Sequence, residues 1–302
     1  MADATIANTT NEPRKASGSA VKEVLGYLRR NPALAWGIGL ILLLVLFFVF
    51  ATLQVSSFTE YRPLSVRPRL PPSLQYPLGT DTQGRNLLAL NALGLLGTLS
   101  IGLGAGFIGV VVATLLAFIG AYFGGRIDAV IRLVVDIGLS IPTILLLVII
   151  AIAFHGLTLW QMALVVSMTA WIRPTRIIRS QVLSLRERAY VEVARMSGMG
   201  GLEIILKELL PNLMPLIFAN FVASITHAIL ASIGLEALGL GPADNPSLGT
   251  IIYRVILYQG IIQGLWWWWL APIVLIILIF IALFLISVGL DELADPRLRT
   301  TS

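Results

Sequence analysis

Few side chains in this sequence could perform chemistry, and their spacing excludes most kinds of catalytic site. The 302 residues include no cysteine and two histidines, His155 and His227, which are far apart along the chain. Nucleophilic catalysis needs a nucleophile beside a base, and the chain lacks both the HExxH and the GxSxG motif. We therefore predict no catalytic residue and no metal site, so an enzyme is not the favoured interpretation.

A nucleotide site is excluded on similar grounds. A phosphate-binding loop needs Gly-Lys followed by Ser or Thr, because backbone amides and the lysine together hold the phosphates. The lysines are Lys15, Lys22 and Lys207, and none has this context. A GxGxxG match within 102–109 lies inside an apolar run, where glycines favour close helix packing over dinucleotide binding.

Long apolar runs dominate the chain. Hydrophobic residues make up 57% and charged residues 12%, whereas a soluble domain has about 25% charged residues. A helix needs about 20 apolar residues to cross the hydrocarbon core. We predict an all-α membrane protein with six transmembrane helices and a kink at Pro142. The predicted helices are 33–53, one within 93–123, 129–154, 157 to just before Arg173, 211–235 and 265–290.

The basic residues indicate how these helices are oriented. Of the 21 lysines and arginines, 16 lie in segments 1–32, 124–132, 173–210 and 291–302. Lysine and arginine accumulate on cytoplasmic loops, so both termini are predicted inside, and the net charge needs no nucleic-acid partner. The predicted organisation is a cytoplasmic tail with a lead-in helix (1–32), a first transmembrane helix (33–53), an external loop (54–92), a five-helix core (93–290) and a cytoplasmic tail (291–302).

Among the polar residues of the fifth predicted helix are Asn220, Thr226 and His227. Polar side chains inside a membrane are costly and often functional, which makes these residues candidates for lining a translocation pathway. Hydrogen bonding between packed helices explains them equally well, and the sequence leaves both interpretations open.

A cytoplasmic segment, 184–210, separates the fourth and fifth predicted helices. It is predicted to form two short helices around Gly198, Gly200 and Gly201, with Glu203 and Lys207 paired one turn apart. Leu202, Ile205, Leu206 and Leu209 are predicted to share one face of the second helix. Pro211 suits the first turn of the helix that follows. A helical elbow of this kind is shaped to dock on a partner.

The elbow resembles the cytoplasmic signature of the permeases of ATP-binding-cassette importers. Glu192-Val193-Ala194, then Gly198 after three residues, then Leu210-Pro211 keep the spacing of that signature, although Val193 and Glu208 depart from its usual residues. The resemblance implies that the elbow docks on a separate ATPase. The residues implied in this coupling are Tyr190, Glu192, Ala194, Arg195, Gly198, Met199, Leu202, Leu210 and Pro211.

Further motifs resemble those of the dipeptide/oligopeptide/nickel importer permeases in particular. With its extra first helix, the chain resembles the second permease subunit of those importers. These motifs are Pro77-Leu78-Gly79-Thr80-Asp81 with Gly84-Arg85-Asn86, Leu238-Gly239-Leu240-Gly241 with Asn245-Pro246-Ser247-Leu248-Gly249, and the terminal Asp295-Pro296-Arg297-Leu298-Arg299. The sequence departs from the usual residues of that family at two places on the predicted outer side, Leu96-Gly97-Thr98 and Glu236-Ala237.

The resemblance also implies partners and a location. The implied partners are a second permease subunit, two cytoplasmic ATPase subunits and an extracytoplasmic binding protein. The ATPase subunits bind ATP and magnesium, and this chain binds neither. The implied location is a bacterial inner membrane. Glu236, Asp244, Asn245 and Arg254 are the predicted contacts with the binding protein. Peptides are the implied cargo, with oligosaccharides or nickel complexes as alternatives. A carrier that works alone, driven by an ion gradient, is the rival outside this family.

Overall fold

The computed structural model describes residues 31–294 except Ser56, His155 and Asp244. The predicted lead-in helix before residue 31, the terminal 295–299 motif and Asp244 therefore lie outside the described residues. Within them the fold is helical, and the only strand-like feature is one isolated bridge between Thr80 and Asn86. The helices are α1 (Pro32–Gln54), α2 (Leu87–Phe123), α3 (Gly125–Ser140), α4 (Thr143–Ile152), α5 (Leu159–Ala170), α6 (Ile172–Arg186), α7 (Ala189–Met196), α8 (Gly201–Ala237), α9 (Leu248–Leu257) and α10 (Trp266–Ala294).

Among the described residues, four helices are long and apolar enough to cross a membrane. They are α1, α2, α8 and α10, and α3 with α4 makes a fifth if that bent pair is one span. The chain is thus an all-helical, multi-pass membrane protein. The predicted fourth helix corresponds to α5, which has only 12 residues. By length and composition the described helices therefore give four or five spans, and the sixth stays a prediction.

Pro142 ends one helix and begins another. The axes of α3 and α4 differ by 88° across the break at Ile141 and Pro142. Proline disfavours helical backbone in the residue before it, and Ile141 accordingly has the extended angles φ −90° and ψ 129°. The predicted kink is confirmed, and it is a sharp corner.

The long helix α2 packs closely against α8 through its glycines. A Cβ on Gly102 would lie 2.5 Å from the Ile229 side chain, and one on Gly106 would lie 2.9 Å from Ile225. Farther along α2, a Cβ on Gly109 would lie 2.7 Å from Ala170 at the end of α5. The glycine run therefore serves helix packing, as predicted, because only glycine lets these backbones approach so closely.

The start of α8 differs from the sequence prediction. The expected separate helix before Pro211 is instead the first part of one continuous 37-residue helix. Residues Ile205–Leu209 form a π-turn in which the Leu210 N–H donates to the Ile205 carbonyl. Proline has no N–H, and its ring collides with the carbonyl four residues earlier. A widened turn before Pro211 accommodates that ring without ending the helix.

Candidate functional site

The elbow formed by α7 and the start of α8 is anchored by buried apolar residues. Val191 and Ala194 on α7, with Ile204, Ile205 and Leu209 on α8, are buried in one cluster. The same cluster contains buried residues at the C-terminal end of α2 and along α6. Movement of the elbow is therefore mechanically connected to α2, the helix that contacts α8 and α5.

The turn of the elbow requires glycine at residue 198. The Met199 N–H donates to the Ala194 carbonyl at 3.2 Å, and the Gly198 N–H donates to the Arg195 carbonyl at 3.0 Å. These two bonds form a Schellman motif, whose left-handed residue is usually glycine. Gly198 has φ +83°. The spacing between Ala194 and Gly198 in the sequence signature thus follows from the way α7 ends.

The opposite face of the elbow is exposed and rich in apolar side chains. Met196 is 75% exposed and Leu202 is 68% exposed, and Val193 and Leu206 are also exposed. The prediction that Leu202, Ile205, Leu206 and Leu209 share one face is wrong, because the first and third are exposed while the others are buried.

The predicted coupling residues fall into two groups. Tyr190, Glu192, Arg195, Gly198, Leu202 and Pro211 are exposed, whereas Ala194 is buried and Met199 and Leu210 are partly buried. The sequence interpretation missed Val193, Met196 and Leu206 as exposed apolar residues. Helical periodicity could have identified Val193 and Met196, because Val193 lies opposite the buried Val191 and Met196 lies opposite the buried Ala194.

Ion pairs and hydrogen bonds fix the helices around the elbow. The Arg179 guanidinium makes two hydrogen bonds of 2.5 Å to the Asp128 carboxylate, joining α6 to α3. Arg186 Nη1 donates to the Ala121 carbonyl at 2.7 Å, near the end of α2. The predicted pair is confirmed, with Lys207 Nζ 2.7 Å from Glu203 Oε1. The first two contacts had no local signal, because the residues that they join lie 51 and 65 positions apart.

A cavity of about 710 Å³ lies among α3, α4, α5, α6 and α8. Asn220 and His227, two of the three predicted pathway residues, line it. Thr226 is not among the lining residues, and its hydroxyl donates to the Val222 carbonyl at 3.0 Å. Arg173, at the start of α6, also lines the cavity. No local pattern associates Arg173 with Asn220 or His227, which lie 47 and 54 positions away along the chain.

Glu236 is buried within the protein instead of lying on its surface. Its exposed fraction is 0%, and its Oε2 accepts a hydrogen bond of 2.7 Å from the Ser247 hydroxyl. The carboxyl group also faces the backbone amides of Gly249 and Thr250 in the first turn of α9, where the helix dipole favours negative charge. A buried carboxyl group is not accessible to the binding protein that Glu236 is predicted to contact.

The contacts of Glu236 belong to a larger set, which we call the α2–α9 junction: Gly97, Thr98, Glu236, Ser247, Leu248 and Gly249. The Leu248 N–H donates to Thr98 Oγ1 at 2.9 Å. A Cβ on Gly97 would lie 2.2 Å from the Pro246 carbonyl oxygen. Both sequence departures noted above thus contribute buried contacts to this junction. Of the other predicted binding-protein contacts, Asn245 is exposed and Arg254 is partly buried.

The loop before α2 owes its shape to hydrogen bonds within the Pro77–Asn86 motif. Asp81 Oδ1 accepts from the N–H groups of Gln83 at 2.8 Å and Arg85 at 2.9 Å. Burial raises the pKa of the Asp81 carboxyl above its usual value. Asn86 caps α2 by accepting from the Leu88 N–H at 3.0 Å. Trp267 Nε1 donates to the Thr80 carbonyl at 3.2 Å, which fixes the loop to the start of α10.

Comparison with known proteins places this architecture in one family. Residues 105–300 match the family model described as binding-protein-dependent transport system inner membrane component. The dipeptide transport permease DppC of Bacillus subtilis is 29% identical over 95% of this chain and 88% of its own. The oligopeptide transport permease OppC of Mycobacterium bovis is 31% identical over 75% of this chain and 78% of its own.

A solved structure shows the same fold. A chain of the MetNI methionine ABC transporter, in an inward-facing conformation, superposes with a TM-score of 0.54 at 21% identity, over 70% of this chain and 96% of that one. The match with the family model covers the elbow, the cavity and α8 to α10. This chain is a member of the binding-protein-dependent transport system inner membrane component family, and hence a transporter subunit.

Proposed function

We propose that this chain is a permease subunit of an ATP-driven importer of dipeptides or oligopeptides, with the ATPase on separate chains. The observation that carries the proposal is the elbow, whose buried face connects to α2 while its exposed apolar face is free to bind a partner. The peptide cargo is supported by the names of the relatives, which are dipeptide and oligopeptide transport permeases. Oligosaccharides and nickel complexes are the alternative cargoes.

The proposed assembly is that of a binding-protein-dependent importer. This chain and a second permease subunit form the pathway in a bacterial inner membrane, two ATPases bind ATP and magnesium below it, and a binding protein delivers cargo from outside. Asn245 and Arg254 remain the proposed contacts with that protein. ATP-driven closure of the ATPases moves the elbow, and the buried cluster transmits the movement to α2.

We also propose six spans with both termini in the cytoplasm. Two features support this arrangement: α3 with α4 as one bent span, and α5 as a short span whose end leads directly into the basic helix α6. The distribution of lysine and arginine supports the same orientation. The proposed domain organisation is that of the sequence prediction, with a coupling segment at 184–210 inside the core of 93–290.

Single cysteines test this orientation cleanly, because the chain has none of its own. Leu74→Cys lies in the proposed external loop and Met196→Cys in the elbow, at residues that are 99% and 75% exposed. We expect a membrane-impermeant maleimide to label residue 74 in intact spheroplasts, and residue 196 only after permeabilisation. Labelling of residue 196 in intact spheroplasts would contradict the proposed topology.

Leu202→Asp tests the docking surface. An exposed leucine contributes little to folding, whereas an apolar anchor at a partner interface can contribute 2 kcal/mol or more, so we expect about a 30-fold weaker interaction with the ATPase. The measurement is the amount of ATPase that co-purifies with this chain in mild detergent.

The matched control for this experiment is Leu74→Asp, which places the same charge at an exposed leucine on the proposed external side. It is expected to co-purify the ATPase as the wild type does. If the wild-type chain is intact and brings down no ATPase, the importer assignment fails and a carrier that works alone becomes the better interpretation. Equal recovery with Leu202→Asp would refute docking through this face of the elbow.

A further inference from the structure

The cavity beside α8 carries positive charge that its own lining does not neutralise. Arg173 and His227 both line it, and no aspartate or glutamate is among its lining residues in the described part of the chain. Asn220, Ser224 and Thr169 add uncharged polar groups, while most other lining residues are apolar. A ligand in this cavity therefore meets a cation in surroundings of low polarity.

Arg173 is not used to hold the helices together. Across residues 31–294, leaving aside the three undescribed positions, its guanidinium makes no hydrogen bond and no ion pair. Two other arginines of α6 do make such contacts, since Arg179 pairs with Asp128 and Arg186 binds the Ala121 carbonyl. The Asp128 carboxylate is thus paired with Arg179. An arginine with no structural partner, facing a cavity, is available to a ligand.

The cavity is also large enough for such a ligand. Its volume of about 710 Å³ lies within the range of about 300–1,000 Å³ for small-molecule pockets. Along α8 its lining extends from Asn220 to Gly234, which corresponds to about 21 Å at 1.5 Å per residue. Arg173 supplies five N–H donors in a planar fork, a geometry that matches a carboxylate.

We infer that Arg173, assisted by His227, binds a carboxylate of the cargo as it passes through the cavity. This inference rests on the proposed import function and specifies it further, because it requires a cargo with a free carboxylate, such as the C-terminus of a peptide. The Arg173 guanidinium is exposed at the cavity and has no partner in the described residues, so it is free to form two parallel hydrogen bonds to a carboxylate. The apolar lining contacts the remainder of the peptide without selecting its side chains.

The test compares two peptides that differ only at the C-terminus. The complete importer, with its binding protein, is reconstituted in liposomes, and uptake of a radiolabelled tri-alanine is compared with uptake of its C-terminal amide. The affinity of each peptide for the isolated binding protein is measured separately, so that transport is compared at equal occupancy. We expect Arg173→Gln to reduce uptake of the free acid about tenfold or more, and to change uptake of the amide little.

Arg176→Gln is the matched control. Arg176 lies on the same helix and is also exposed, but it does not line the cavity. Its substitution is expected to leave both uptake rates unchanged, whereas Arg173→Lys, which keeps the charge, is expected to retain part of the preference for the acid. If the importer that carries Arg173→Gln does not assemble, His227→Gln is tested in its place. This variant is expected to reduce uptake of the acid by a smaller factor and to leave uptake of the amide unchanged.

Each contrary outcome is distinguishable. Equal uptake of acid and amide by the wild type refutes carboxylate recognition while leaving peptide import in place. An equal reduction of both by Arg173→Gln indicates a structural role, or pairing with another subunit or a lipid, and also refutes the inference. Failure of the wild-type importer to transport either peptide refutes the proposed peptide function itself.

Discussion

Gly97→Ala is expected to disrupt the α2–α9 junction and abolish transport. The added Cβ would lie 2.2 Å from the Pro246 carbonyl oxygen, a backbone atom that cannot rotate away. Separating the two segments would also stretch the neighbouring hydrogen bond of 2.9 Å from the Leu248 N–H to Thr98. Overpacking of this kind costs about 3 kcal/mol, which corresponds to a thermal midpoint roughly 6–10 °C lower. Tryptophan fluorescence of the purified protein measures this midpoint.

Gly104→Ala provides the control within the same helix. A Cβ on Gly104 would lie 3.4 Å from the Ala163 side chain, an ordinary van der Waals distance. This variant is expected to have the thermal midpoint and the uptake rate of the wild type. If Gly97→Ala behaves in the same way, the close contact between α2 and the loop before α9 does not determine stability.

Glu236→Ala is expected to destabilise the same region through lost polar contacts. The Ser247 hydroxyl would lose its 2.7 Å hydrogen bond to Glu236, and the first turn of α9 would lose the nearby carboxyl group. The truncation also leaves a cavity at a residue that is fully buried. These losses together amount to about 3 kcal/mol. Thermal midpoints and peptide uptake measure the effect.

Glu236→Gln distinguishes the contribution of side-chain shape and hydrogen bonding to stability from the contribution of the negative charge. Glutamine has nearly the same volume and keeps an oxygen that can accept from Ser247, so we expect a loss of about 1 kcal/mol or less. A large loss in Glu236→Gln would show that the negative charge itself stabilises the start of α9. Full stability of Glu236→Ala would contradict a structural role for this carboxyl group.

Local patterns in the sequence were sufficient to predict several features of the elbow. The Glu203–Lys207 pair and the break at Gly198 arise within a few residues, from the geometry of a helix and its C-terminal cap. The bend at Pro142 likewise follows from one proline and its effect on the preceding residue. The division of Leu202 and Leu206 from Ile205 and Leu209 was not predicted, because it depends on how the π-turn rotates the start of α8.

The sequence by itself determined that this is a helical membrane protein with a helical elbow that breaks at Gly198, because apolar runs and cap spacing are local properties of the chain. Only the tertiary structure decided that Glu236 is buried beside Ser247, and that Arg173 shares a cavity with His227. The bond from Leu248 to Thr98 joins residues 150 positions apart. Such contacts depend on which helices pack together and at what rotation, and hydrophobic periodicity does not specify either one.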